Sequence, residues 1–482
     1  MPDWSMLARR LAGRVVLPEE ADIAHAFKQF SADQTLAAPE ALIRCRSEED
    51  VREAIAFVRA HGGDFAVRSG GHCFADFSHS AHAIIDLGAM RTIEPCMRDG
   101  ERRVRLGPGA CGEHLVPALS PSGLAVPTGG CPTVAIGGLS LVGGFGMFGR
   151  RNGLAADRVR GFRVVLADGS AVDASAHTHP ELFWALRGAG AAGFGVVTSL
   201  EMAVHDVPEA TACLGTWPIG LAAELVQRWQ RFAPDAPACA NLALALVAPD
   251  DPDVACIAQL HGLIFHDGPQ REVHDALIAA LGPLSSRLRT WRMGANDVAA
   301  YAAGLLDHAG KPAWQPSRPF RTHGFQVTRS HFFDRLVERP ALDACIDALR
   351  SARAYALHRE IELVPWGGAY ATGSDGAFIH RHARMLVRHT AYTGARATEA
   401  LRAEARRWCE ASHAALSAHA NGHAYQGYAE RSLATWRRAY YGTHYPRLQA
   451  IKQRYDPDGA FRHPQSIETA TAPSPASEAA GV

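Results

Sequence analysis

Two loops built of glycine and small residues each carry one nucleophile: "VRSGGHCF" holds His72 and "TGGCPTVAIGG" holds Cys131. Imidazole nitrogen and thiolate both add to electron-poor carbon, and small neighbours let a large planar molecule approach them closely. A third candidate is the run Tyr425-Gln426-Gly427-Tyr428. A tyrosine there acts as a base only if a nearby cation or hydrogen-bond donor lowers its pKa, ordinarily about 10. A fourth is His389 in "FIHRHARMLVRHTAY", where strand alternation puts Val387 and His389 on one face. His380 and His382 on one strand face, together with His177 and His179, raise a different chemistry, metal ligation in a hydrolase. Neither an H-E-x-x-H helix nor an acidic general base accompanies them.

The bulk numbers set the scale of what must position these groups. At 482 residues the chain exceeds one core and implies two or three domains, enough to bury a large cofactor. Basic and acidic residues number 49 each, so no overall field draws the chain to nucleic acid or anionic lipid, and the expected partner is a small molecule. The ten cysteines include no C-x-x-C pair and indicate neither a zinc site nor a disulfide framework. The N-terminus lacks the apolar run of a secretory signal, and no segment reaches the roughly 18 apolar residues that span a bilayer. A cytoplasmic protein without a membrane partner is expected, as a monomer or homodimer.

The elements follow from local pattern. "ALIRC" and "FAVRS" read as strands around "SEEDVREAIAFVRAHGG", a helix with a capping signal, Val51, Ala54, Ile55 and Val58 at helical spacing, and a Gly-Gly stop. "HAIIDLG" adds a strand, so the opening third is a small layer of βαβ-like pieces. "FRVVLADGSAVDAS" is a hairpin turning at Asp168-Gly169, "PELFWALRG" a helix opened by Pro180, and "FGVVTSLEMAV" a buried strand. After residue 205, "NLALALVA" and "ACIAQLHGLIF" flank the turn "PDDPD", and "REVHDALIAALG" is a helix with Val273, Leu277 and Leu281 on one face. "GGAYATG" and "RMLVRHTAY" are further strand candidates in an antiparallel sheet backed by helices. The stretch "GFGMFG" at Gly144–Gly149 matches G-x-G-x-x-G literally, but "RRNGLAADRV" after it has no helical period, which excludes a dinucleotide-binding βαβ reading.

Read in order, "VRSGGHCFADFS", "GPGACGEHL", "GLAVPTGGCPTVAIGGLSLVGGFGMFGRRNGLAADRV", "ELFWALRGAGAAGFGVVT" and "YYGTHYPRLQAIKQRYDPDGAFRHPQSI" resemble the berberine-bridge-enzyme-like group of FAD-linked oxidases, in the vanillyl-alcohol oxidase and p-cresol methylhydroxylase superfamily. The resemblance is strong over 10 to 205 and 420 to 467 and weak between. It implies a two-domain α+β flavoprotein: 1–205 and 420–467 bind FAD, 206–419 form a substrate domain, and 468–482 are a disordered tail.

The resemblance also implies roles. His72 would attach to the flavin 8α-methyl carbon and Cys131 to C6. Arg68, Ser69, Gly70 and Gly71 would wrap the pyrophosphate with backbone amides. Gly137, Gly138, Gly143 and Gly144 would let the chain pass under the ring, and Val196 would lie near the adenine half. A small residue at Val134 resembles the oxygen-reactive members. Tyr428 matches the tyrosine taken as base, although Gly427 replaces the asparagine of the group's Y-x-N-Y motif. His389 is a second base or orienting group.

The function implied is an FAD-dependent oxidase with bicovalent flavin that oxidises an alcohol, or a C–H next to a heteroatom, of a bulky natural product, with O₂ as acceptor and H₂O₂ as product. Oxidation of an oligosaccharide at its hemiacetal carbon is the alternative within the group. A metal-dependent hydrolase using histidine ligands and a non-catalytic flavin-binding protein are the alternatives outside it.

Overall fold

Ser47 starts the helix Glu48–Ala60: its hydroxyl accepts from the Asp50 amide, and Val51, Ala54, Ile55 and Val58 fall on the buried face. In the computed structural model, which describes residues 2–20, 29–30, 37–313, 324–373, 375–394 and 396–469, this helix connects two strands of one sheet. Ala41–Arg44 and Phe65–Arg68 lie on either side of Ala83–Asp86, both parallel to it, with Arg14–Val16 as an antiparallel edge. Arg68 and Asp86 are register partners and form a buried ion pair, Nε to Oδ2 at 2.8 Å. The His72 loop leaves from this end of the sheet, the carboxyl end of parallel strands, where such sheets bind ligands.

A five-stranded antiparallel sheet follows, with Val196–Ala203 at its centre between Glu101–Leu106 and Val159–Val165. The Asp168-Gly169 turn joins Val159–Val165 to Ala171–Ser175 as the sequence predicts, and the Asp168 carboxylate accepts from the Ser170 amide at 2.8 Å. The late helix Tyr445–Tyr455 returns to this part of the chain: Leu448 and Ile451 share a core with Val164 and Leu200.

The third sheet has seven strands, all antiparallel, between Ala210 and Thr393. Its first hairpin, Ala240–Ala248 with Ile257–Phe265, turns through "PDDPD" as expected. The helices Ala222–Phe232, Gln270–Leu281, Arg339–Arg350 and Glu399–Ser417 cover one face, burying Trp229, Leu277, Leu349 and Trp408 in the largest core. The opposite face lines a cavity.

The α+β class is therefore as expected. Of the strand candidates for the third sheet, one differs. "GGAYATG" is no strand but a 3₁₀ turn, Gly368–Tyr370, because Tyr370 is drawn inward: its ring stacks on Trp366 at 4.3 Å and its hydroxyl donates to the Gly146 carbonyl at 3.1 Å. Of the tail expected at 468–482, residues 470–482 lie outside the described residues. No helix among the described residues is long and apolar enough to cross a membrane.

Candidate active site

The two glycine-rich loops meet. An added Cβ on Gly70 would sit 2.8 Å from the Ala135 nitrogen and 2.9 Å from the Thr133 carbonyl oxygen, so only glycine lets the first loop lie on the second. The contact brings His72 and Cys131 to a common neighbour that sequence reasoning misses. The Thr133 hydroxyl oxygen lies 2.9 Å from His72 Nε2 and 3.7 Å from Cys131 Sγ. Phe30 stacks on the His72 ring at 4.5 Å. Burial raises the Cys131 thiol above its ordinary pKa, and hydrogen bonds from Thr133 oppose the rise.

Both loops open onto one cavity of about 900 Å³. Ser69, Gly70, Gly71, His72, Cys131 and Val134 line it, as do Gly137, Gly138 and Val196. Arg68 itself turns aside to Asp86. At Gly130 and Gly138 an added Cβ would meet nothing within 4 Å, so the wall there is bare backbone bordering open space, the surface a flat ring system needs. The cavity and this cradle fit a flavin dinucleotide, whose size lies in the range large cofactor pockets accept. Gly143 and Gly144 do not border that space. Phe378 covers the first, Leu139 and Ala155 cover the second, and the Gly144 amide donates to the Tyr425 hydroxyl at 3.2 Å. Gly144 thus holds the Tyr425 hydroxyl, and neither glycine borders the space in which a ring would lie.

Tyr428 stands across the cavity in a 3₁₀ turn, Gln426–Tyr428. Tyr425 packs edge-on against it at 5.1 Å, Phe145 at 5.8 Å, and Phe74 lies tilted at 5.5 Å. Gly427 has a steric reason: an added Cβ would lie 2.4 Å from the Tyr425 ring, so an asparagine has no room while Tyr425 is folded over it. Gln426 anchors the turn, donating to the Gly188 carbonyl at 2.7 Å and pairing with His380 Nε2 at 3.1 Å.

A cation does lie beside Tyr428: Arg388, its guanidinium carbon 5.5 Å from the ring centre. Burial pushes the Tyr428 hydroxyl up to about 12; Arg388 pulls it down, against Glu362 and Glu360. Arg388 bonds both carboxylates, at 2.7 Å to Glu360 and 2.9 Å to Glu362. Register explains the cluster, since Glu362 is the direct partner of Arg388 and Glu360 is two residues along the same face. Burial holds the Glu362 carboxyl above the usual range, with Arg388 opposing. For Glu360 burial also acts upward, but bonds from His358 and Arg388 win and its pKa is lowered.

This register corrects the reading of His389. Arg388, Thr390 and Tyr392 face the cavity; Val387 and His389 face the helices. His389 is fully buried, its Nδ1 2.8 Å from Ser412 Oγ in the helix Glu399–Ser417, its ring edge-on to His331 and His413. It touches no part of the cavity, so it cannot serve as base there. The expected strand at His380 and His382 is likewise a 3₁₀ turn, with His380 stacked on Phe332 at 4.3 Å. His179 bonds the Tyr455 hydroxyl at 2.9 Å, and His177 and His382 are exposed. Among the described residues, the one grouping close enough to hold a metal is Cys111, Glu113 and His114, which involves neither pair.

Signals for the missed residues exist. "REIELVP" puts two acids on alternate positions of an apolar strand, and Thr133 lies inside the cysteine loop itself.

A family profile described as "FAD binding domain" matches residues 39–175, spanning His72 and Cys131, and one described as "Berberine and berberine like" matches 424–468, spanning Tyr428. The chain thus carries an FAD-binding domain and a berberine-like domain, and relatives that match it along most of its length are FAD-linked oxidoreductases. It is 27% identical to (R)-6-hydroxynicotine oxidase of Paenarthrobacter nicotinovorans, over 95% of this chain and 97% of that one. It is 26% identical to chitooligosaccharide oxidase of Gibberella zeae, over 85% and 83%. Its fold is that of Physcomitrella patens BBE-like 1, with a TM-score of 0.83 at 22% identity, over 96% and 98% of the chains. FAD is thus the cofactor of this oxidoreductase, and neither profile reaches Glu360, Glu362 or Arg388.

Proposed function

We propose that the protein is an FAD-dependent oxidase whose flavin is bonded to both His72 and Cys131, and that it oxidises an alcohol or a C–H next to a heteroatom on a bulky natural product, releasing H₂O₂. The reading rests above all on one arrangement: His72, Cys131 and Tyr428 line the same cavity, with Arg388 against the Tyr428 ring. In this reading residues 1–205 and 420–467 hold FAD, and 206–419 roof its ring and shape the substrate site.

FAD, when bound, supplies the acceptor for a hydride and hands the electrons to O₂. The chain's own residues do the rest. The amides around Ser69, Gly70 and Gly71 form a concave donor set for phosphate oxygens. Val196 lines the same cavity and would face the adenine half, and Val134, which also lines it, would leave space for O₂. Tyr428 takes the proton from the substrate heteroatom. Its phenolate form is disfavoured by burial and favoured by Arg388, so the guanidinium is what makes the phenol a usable base. Glu360 and Glu362 fix Arg388 in place.

A second reading, an oligosaccharide oxidised at its hemiacetal carbon, is favoured by the polar lining residues Asn241, Gln259, Gln326 and Thr390, which suit hydroxyl groups, and by the similarity to chitooligosaccharide oxidase. One experiment tests the core reading. Protein precipitated in acid should stay yellow, His72→Ala/Cys131→Ala protein should release its FAD to the supernatant, and substrates from the two classes should be ranked by peroxide release. A colourless wild-type pellet overturns the attachment, and flavin reduction by substrate without peroxide under air overturns the oxidase assignment.

A further inference from the structure

We infer that Thr133 is a positioning residue for flavin attachment, its one hydroxyl preparing both His72 and Cys131 for bond formation. The inference rests on the bicovalent reading above and assigns a role to a residue that reading leaves without one.

The geometry is specific. Thr133 Oγ1 stands between the two nucleophiles, 2.9 Å from His72 Nε2 and 3.7 Å from Cys131 Sγ, the longer distance being normal for sulfur. A hydroxyl has one proton to give and lone pairs to receive with. To support a thiolate it must donate to Sγ. It then accepts from Nε2–H, which places the imidazole lone pair on Nδ1. A single chain, Nε2–H to Oγ1–H to Sγ, therefore stabilises the thiolate form of one nucleophile and fixes the nucleophilic tautomer of the other. Burial works against the Cys131 thiolate, so the donated bond matters more than it would in water. Packing holds the hydroxyl there, because Gly70 lies against the Thr133 carbonyl and Phe30 is stacked on the His72 ring.

The chemistry balances with dioxygen as oxidant. Each attachment forms one bond to flavin carbon and breaks one C–H bond, the ring C–H for Cys131 and a methyl C–H for His72. The nucleophile's proton is lost, and the electron pair of the broken bond passes through the flavin to O₂. Each bond made thus consumes one O₂ and yields one H₂O₂.

The test compares Thr133→Val, which keeps the shape and removes the hydroxyl, with Thr133→Ser, which keeps the hydroxyl. Holoenzyme is digested and flavin peptides are identified by mass. Wild type should give one species in which flavin joins the His72 and Cys131 peptides, and the Ser variant the same. The Val variant should form the Cys131 bond at least tenfold more slowly. Incubation at higher pH should restore it, because without the hydroxyl the thiolate appears only nearer the thiol's own raised pKa. Loss of the His72 bond as well, recovered by serine, supports the same chain. FAD retained by the Val protein through gel filtration is the folding control, and Thr133→Ala replaces that variant if it does not accumulate. Wild-type yield of the joined peptides in the Val protein overturns the inference, as does an equal loss in the Ser protein. Absence of joined peptides from wild type overturns instead the bicovalent reading on which it stands.

Discussion

The loop side of the cavity and its sheet side are built differently. Ser69–Cys73 and Gly129–Gly138 shape their surface with backbone, close enough that a Cβ at Gly70 would strike Thr133 and Ala135, and they present two nucleophiles. The sheet side presents side chains, with Glu360 and Glu362 from one strand, Arg388 from the next, and Tyr428 from a turn far along the chain. On the proposed function the loops hold and the wall reacts. Damage to the loops should release the cofactor, whereas damage to the wall should leave yellow, slow protein.

The largest effects test that division. His72→Ala/Cys131→Ala should lose all covalent FAD, measured in the acid supernatant, without moving the rising limb of the pH–rate profile. Tyr428→Phe should keep its flavin bonds and lose kcat/KM by about 10²–10⁴-fold, the usual worth of a positioned base. Rapid anaerobic flavin bleaching checks it, and a Phe variant within threefold of wild type removes Tyr428 from the chemistry.

Arg388→Met should come next. On the proposed function Tyr428 works as phenolate, so the rate should rise with pH until its pKa is passed. Removing the cation raises that pKa and moves the limb to higher pH. At any pH below the limb, the rate then falls about tenfold for every pH unit the limb has moved. Two carboxylates also lose their partner, so Arg388→Met/Glu362→Gln is the companion variant that removes one of the stranded charges. The limb should stay displaced in both.

The same contrast explains what was legible in the sequence. A loop that must approach another backbone needs glycine, and glycine, His72 and Cys131 are visible as residue types. The Ser47 cap, the Asp168-Gly169 turn and the "PDDPD" hairpin are visible for the same reason: each is decided within a few residues. Arg388 is not decided locally. Met385–Thr393 is covered by helices on one face and borders the cavity on the other, so its alternation carries little contrast, and a slip of one residue puts His389 where Arg388 belongs. "GGAYATG" fails similarly, since Trp366 and Gly146, distant in sequence or outside its pattern, bend it into a turn.

Between the two sides stands Gly427, legible only as a departure from the group's motif. Gly427→Ala drives a Cβ to 2.4 Å from the Tyr425 ring, and overpacking of this kind costs about 1–3 kcal/mol. Thermal unfolding should occur a few degrees lower. Turnover should fall as well, because Tyr425 packs directly on Tyr428. Unchanged stability would mean that Tyr425 swings clear, and Gly427→Asn should then be tolerated too.

The smallest effect belongs to the hidden face of the same sheet. His331, His389 and His413 pack together behind the cavity, His331 and His413 stacked at 3.5 Å, and Arg329 adds positive charge nearby. Burial lowers His331 to about 4 and His413 to about 3 and holds His389 well below its ordinary value. The sign follows. In the unfolded chain these rings take up protons as pH falls through about 6.5, whereas the folded protein refuses them until far lower, so acid favours unfolding. Stability is complete above about 6.5 and declines steadily toward pH 4. His413→Gln removes one such site and should flatten the decline by at most about 1.4 kcal/mol per pH unit, measured as urea midpoints between pH 7 and 4.5. Activity at pH 7.5 should not change, because none of these rings reaches the cavity. A variant that lost activity there while keeping its stability would tie the two faces of the sheet together and erase the distinction between wall and support.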